Sequence, residues 1–156
     1  SYDPLTLSGD TLYGITGQWN GVGTIFSVPV TGGTITTLAT FGGDLFRRPK
    51  GGLTVFGGAV YGTTYSGGAN DLGTVFSVPI TGGSLTTLVD FNTTNGANPV
   101  AGLTLSGNTL FGTTAEGGAH GFGTVFSIVI PEVIPEPTTL SVLAFGGLAL
   151  LRRHGK

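Results

Sequence analysis

The 156-residue chain contains no cysteine, which excludes a disulfide framework and any thiolate-held zinc. Charge is almost as scarce: Asp, Glu, Lys and Arg make up 9% of the residues, against roughly 25% in an ordinary soluble domain. Thr, Ser, Asn and exposed backbone must therefore cover the surface, and little electrostatic repulsion opposes self-association. Basic residues fall into two clusters, Arg47, Arg48 and Lys50, then Arg152, Arg153 and Lys156. Up to Pro137 the chain carries 3 basic and 8 acidic residues, a balance of −5. Phosphate binding needs many distributed cations, so nucleic acid is not an expected partner. Ala, Glu and Lys are few, which argues against helix.

Glycine, by contrast, occurs 30 times, amid a dense scatter of Thr and Ser. That composition predicts an all-β protein of short strands and tight turns. The length suits one domain with a real core and is too short for two. Organisation comes from a phrase used three times: GTIFSV from Gly23 to Val28, GTVFSV from Gly73 to Val78 and GTVFSI from Gly123 to Ile128, each fifty positions after the last. A period of that size marks one supersecondary unit used repeatedly. Its β-branched and aromatic residues read as a strand, roughly Gly23 to Val30 in the first copy. A TGG turn leads to TITTLATF (Thr34 to Phe41) or SLTTLVDF (Ser84 to Phe91). A paired segment follows with glycine at its centre: LTVFGGAVYGTT from Leu53 and LTLSGNTLFGTT from Leu103, heralded by LTLSGDTLYGIT from Leu5. Each reads as a hairpin with a two-residue turn.

Written as strands a, b, c and d, one unit is a four-stranded antiparallel blade. The chain then runs c-d, a-b-c-d, a-b-c-d and a last a, eleven strands in all. Four strands per fifty residues is the size of a propeller blade. In that layout the last strand, Gly123 to Ile130, pairs beside the first hairpin, Leu5 to Thr16, and completes a third blade, removing two open edges. Three blades are fewer than the four to eight of a usual ring. Two chains in a six-bladed ring, strand donation along a filament, or a three-fold trefoil-like barrel are the alternatives.

After Ile130 the composition changes. Prolines at 131, 135 and 137 cannot continue a ladder, so residues 1–130 read as the β-repeat domain and 131–137 as a stiff linker. Residues 138–156 read as a short apolar helix with a basic end. Its uncharged stretch from Thr138 to Leu151 would span about 21 Å as a helix, short of the roughly 30 Å hydrocarbon core. Transient insertion in a membrane fits better than a permanent span, with the basic end kept on the cytoplasmic side. Ser1 opens the sequence without Met and without a basic, apolar leader, and the C-terminal pattern favours a leader that has been removed.

Pro135, Glu136 and Pro137, an apolar segment, and Arg152 with Arg153 together resemble the PEP-CTERM sorting signal of Gram-negative bacteria, over about the last 22 residues. The resemblance implies recognition by an exosortase and export across the inner membrane to the cell surface or the extracellular polysaccharide. The repeats, with GTVFS after a GG-rich loop, then TGG, LTTL, ANP-x-AGLTL and LFGTT, resemble the GloVer tandem repeats of secreted proteins. The first copy departs from the pattern: Gly17 to Val22 is two residues shorter than its counterparts, and RRPKG at Arg47 to Gly51 replaces ANPVAG. That family implies no catalytic residues.

Chemistry-bearing residues are sparse. Asp71 and Glu116 occupy equivalent loops, and as a pair they would be the only candidate for acid–base hydrolysis; Asp at a turn more often serves the backbone. His120 has only Glu116 near it in sequence, too few ligands for a metal. Trp19, in GQWNG, could stack on a sugar ring, and Arg47 and Arg48 could meet an acidic polysaccharide. The expectation is a non-enzymatic, cofactor-free protein of the extracellular matrix, secreted or held at the cell surface. It assembles with itself through Gly123, Thr124, Val125, Phe126, Ser127 and Ile128. Exopolysaccharide binding through Trp19, Arg47 and Arg48 is the rival reading.

Overall fold

A computed structural model describes residues 3–17, 22–43 and 47–132. Among these, every regular element is a strand, eleven in number, as the turn spacing predicts. They form three antiparallel sheets, none closed into a barrel. The first contains β1 (Thr6–Ser8), β2 (Thr11–Gly17), β3 (Gly23–Pro29) and β4 (Thr36–Phe41) in that order. The second contains β5 (Arg47–Phe56), β6 (Ala59–Ser66), β7 (Thr74–Pro79) and β8 (Thr86–Asp90), again in order. The third has only β9 (Thr104–Ser106), β10 (Thr109–Thr113) and β11 (Val125–Val129).

The structural unit is therefore c-d-a-b, and this corrects the expected pairing of the first hairpin with the last strand. The hairpin β1–β2 pairs with β3, Leu12 opposite Val28 and Gly14 opposite Phe26. β11 pairs with β10, Leu110 opposite Ile128 and Gly112 opposite Phe126. Local pairing wins because the ends it joins are close in sequence. Closing a loop of about one hundred residues instead of about ten costs roughly 2 kcal/mol more in chain entropy. Two connections carry the chain to the next sheet, the short one from Phe41 to Arg47 and the long one from Phe91 to Leu103. The trefoil-like barrel is excluded by the same open topology.

Turns follow from glycine where φ must be positive. Gly57 and Gly58 take φ of 57° and 78° between β5 and β6, as a type I′ hairpin needs. The a–b connection repeats its own bond, with the Gly32 and Gly82 N–H groups donating to the Pro29 and Pro79 carbonyls at 2.9 Å. A β-bulge also repeats. The ladder slips between Ile25 and Phe26 against β4 and between Val75 and Phe76 against β8, leaving Leu38 and Leu88 as the extra residues.

The sheets stack face to face. One apolar cluster joins the first sheet to the second through Tyr13, Ile25 and Phe41 against Leu53, Val60 and Phe76. The next joins the second to the third through Tyr61, Val75 and Phe91 against Leu103, Leu110 and Ile130. Strict alternation along β6 and β7 sends Val60, Phe76 and Val78 to one side and Tyr61 and Val75 to the other, so the middle sheet is buried on both faces. Each fully buried Val, Leu or Phe contributes about 1.5–3 kcal/mol. Edge-to-face rings bridge both layers, Phe41 on Phe76 at 5.3 Å and Phe91 on Phe126 at 5.2 Å between centroids.

Candidate assembly site

The candidate site is built on GTVFS, and the structure explains why those residues recur. An added Cβ on Gly62 would lie 2.5 Å from Phe76 Cζ, and one on Gly14 would lie 2.5 Å from Phe26 Cζ. Gly112 and Phe126 make the same match, with Leu103 alongside. The far end of the Phe ring of one strand covers the Gly of its neighbour, where any side chain would collide. The Gly of GT is just as constrained. A Cβ on Gly23, Gly73 or Gly123 would strike the carbonyl oxygen of Thr16, Thr64 or Thr114.

The Thr that follows is half of a hydroxyl pair. Thr64 and Thr74 lie Oγ1 to Oγ1 at 2.8 Å and are buried, and the Thr74 N–H donates to Thr64 Oγ1 at 3.1 Å. Thr16 with Thr24 and Thr114 with Thr124 repeat the arrangement at 2.8 and 3.0 Å. These matches pair every a strand with a d strand, and the short connection from β10 makes β10 the one that Gly123 to Ile128 joins. The sequence carried the signal in Gly14, Gly62 and Gly112, forty-eight and fifty positions apart, beside Phe26, Phe76 and Phe126 at fifty.

Within the predicted assembly segment, Val125–Val129 is strand and Gly123 and Thr124 precede it. Phe126 and Ile128 face inward onto the second cluster. Val125 and Ser127 face out and are exposed. β11 ends its sheet: among the described residues nothing pairs with its outer edge, where β4 and β8 flank the equivalent β3 and β7.

The other candidates among the described residues lie in loops or at the start of β5. Asp71 is exposed and takes φ of 58°, and its carboxylate accepts the Gly67 N–H at 2.8 Å. Glu116 joins the chain through its backbone, its N–H donating to the Ala97 carbonyl at 3.0 Å. His120 is exposed at a turn, and no group of three potential ligands occurs among the described residues. Arg48 stands fifty positions before Asn98 in the matching loop. Both take left-handed φ, 51° and 55°, and Asn98 Nδ2 donates to the Tyr65 carbonyl at 2.9 Å. Arg48 is exposed and Arg47 begins β5. Trp19, the Pro135–Glu136–Pro137 motif, the apolar segment and Arg152 with Arg153 lie outside the described residues. Tyr61 is the one described group with a resolved ionisation shift; burial raises its hydroxyl above the usual tyrosine value.

No curated protein and no solved structure matches the chain. The family model of the Gloeobacter/Verrucomicrobia repeat matches residues 1–145. That is most of the length and includes all three copies of the Phe-over-Gly match, and the chain belongs to the Gloeobacter/Verrucomicrobia repeat family.

Proposed function

We propose that the chain is a non-enzymatic structural protein of the extracellular matrix, secreted or held at the cell surface, whose stacked sheets act as propeller-like blades and assemble with further copies. The observation that carries the reading is the incomplete third sheet. Among the described residues two units have four strands and the third has three, with no strand beside β11 where β4 and β8 lie in the others. An open edge presents unpaired N–H and C=O groups that template another strand. Here the β11 edge meets an open outer edge of a neighbour's sheet, since β4 and β8 are already paired with β3 and β7 and the N-terminal hairpin with β3. In this reading the 135–137 motif and Arg152–Arg153 form the sorting tail. An exosortase handles it after transient insertion in the inner membrane, and exopolysaccharide surrounds the assembled product.

The test supplies the missing strand in trans. The full chain is refolded from urea with and without excess peptide of residues 81–91, which includes β8, and its mass is followed by light scattering. The expected result is a large assembly alone and a smaller mass with the peptide, while a scrambled peptide has no effect. Equal mass in all arms would overturn edge donation. So would a peptide effect that appears only when residues 133–156 are removed, since that would assign the edge to the chain's own Thr138-Thr139-Leu140 segment, which repeats the TTL of β4 and β8.

A further inference from the structure

The two ends of the stack are the two halves of an interface that the chain already makes twice. Call forward the face of each sheet that meets the next sheet, and rear the face that meets the one before. The second sheet's forward face carries Thr54, Tyr61 and Val75, and the third sheet's carries their equivalents Thr104, Phe111 and Val125. Val75 is 0% exposed and Val125 78%. Thr104 and Phe111 are exposed as well. At the other end the first sheet's rear face carries Leu5, Leu7, Leu12, Phe26 and Val28. Leu5 is 54% exposed where its equivalents Leu53 and Leu103 are buried at 5% and 8%. The difference lies in position within the stack, since the side chains are alike.

Polar register repeats too. Thr6 Oγ1 donates to the Leu53 carbonyl at 2.6 Å, crossing from the first sheet to the second. Thr54 Oγ1 donates to the Leu103 carbonyl at 2.8 Å, crossing from the second to the third. Thr104 is the next member of this series, and the Leu5 carbonyl is the acceptor that the series calls for. An apolar face, its complement and a matched hydroxyl–carbonyl pair are thus present on one molecule at opposite ends.

We propose that the forward face of the third sheet docks on the rear face of the first sheet of a second copy, continuing the internal stack from chain to chain. The contact is heterologous: one surface meets a different one, so each chain can engage two neighbours, in a closed ring or an open fibre. The inference rests on the self-assembly reading above but not on edge donation, since Val125 and Leu7 point along the stack and the β11 edge points across it.

The experiment uses two full-length variants at exposed positions, Leu7→Asp on the rear face and Val125→Asp on the forward face. Sedimentation velocity is run with saturating 81–91 peptide so that the β11 edge does not contribute, and circular dichroism with thermal melting confirms that both variants keep the wild-type fold. A buried, unpaired carboxylate weakens self-association by about 100-fold or more, so each variant alone sediments as a monomer. Mixed, they form a one-to-one dimer that grows no further, because the intact forward face of Leu7→Asp meets the intact rear face of Val125→Asp. Self-association of either variant alone, or no dimer on mixing, would overturn the proposal. So would a wild-type chain that stays monomeric. Failure of the peptide to change wild-type mass while the mixed dimer forms would count against edge donation alone.

Discussion

At the scale of single residues, glycine in this chain is less a source of freedom than a place for an aromatic ring. Gly62 lies beneath Phe76 in the doubly covered sheet, and the ring has Leu53 and the first sheet around it. Gly62→Ala should therefore cost about 1–3 kcal/mol through overpacking. Gly14→Ala meets the same ring geometry at Phe26 but on an outer face, where the ring can tilt toward solvent, so its cost should be smaller. Chemical denaturation of the two variants checks the order. The Thr pairs follow the same logic: Thr64→Val leaves the buried Thr74 N–H without its acceptor and should cost about 1–3 kcal/mol. Thr16→Val, at a pair open to water, should cost less.

Tyr61 adds a pH dependence. Its hydroxyl is raised by burial, so the folded state resists ionisation more than the unfolded chain does. The stability tied to the neutral ring is complete below the ordinary tyrosine value of about 10 and is lost as pH rises from there through the folded value. Tyr61→Phe should flatten the fall in stability above about pH 10 and leave neutral pH nearly unchanged, as read from urea midpoints across that range.

Among the elements, strand positions and turns were legible in the chain because period-two alternation and Gly-centred turns act over a few residues. Eleven strands are expected and eleven occur among the described residues. Their grouping was less legible, because a, b, c and d share one periodicity and any cyclic cut of a repeat reads equally well. What decides the cut is the side-chain fit between neighbouring strands, Gly62 under Phe76 and Thr64 against Thr74, together with the short d–a connection. The assembly segment was legible as a distinct last copy, but its partner was not, since that depends on β10 lying closer than β1. At Asp71 the sequence left the backbone contact out of sight, a carboxylate that accepts the Gly67 N–H within its own loop. The same packing orders the strands by opening. β6 and β7 lie at the centre of a sheet covered on both faces, whereas β9 and β11 edge a sheet covered on one. Amide hydrogen exchange should be slowest in Val60–Thr63 and Thr74–Val78 and fastest, among strands, in β9 and β11. Equal protection across the three sheets would show a single cooperative unit instead.

The whole molecule behaves as a short one-dimensional stack, in which a residue's environment is set by how many sheets lie beyond it. Ile25 and Val75 are both fully buried and their equivalent Val125 is open. The same substitution should therefore have opposite outcomes along the repeat. Val75→Asp places an unpaired carboxylate between two sheets, and a cost of about 3–5 kcal/mol is a large share of the 5–15 kcal/mol that holds a typical domain. Val125→Asp places the same group in water and should shift the melting temperature little while abolishing the stacking of one chain on the next. Because the faces are apolar and charge is 9% of the chain, the wild-type association constant should also change little between low and high salt, where an assembly held by ion pairs would weaken as screening shortens their reach. Sedimentation at two salt concentrations separates these outcomes. Steep weakening with salt would place the contact on the charged start of β5, around Arg48 and Lys50, and away from the ends of the stack.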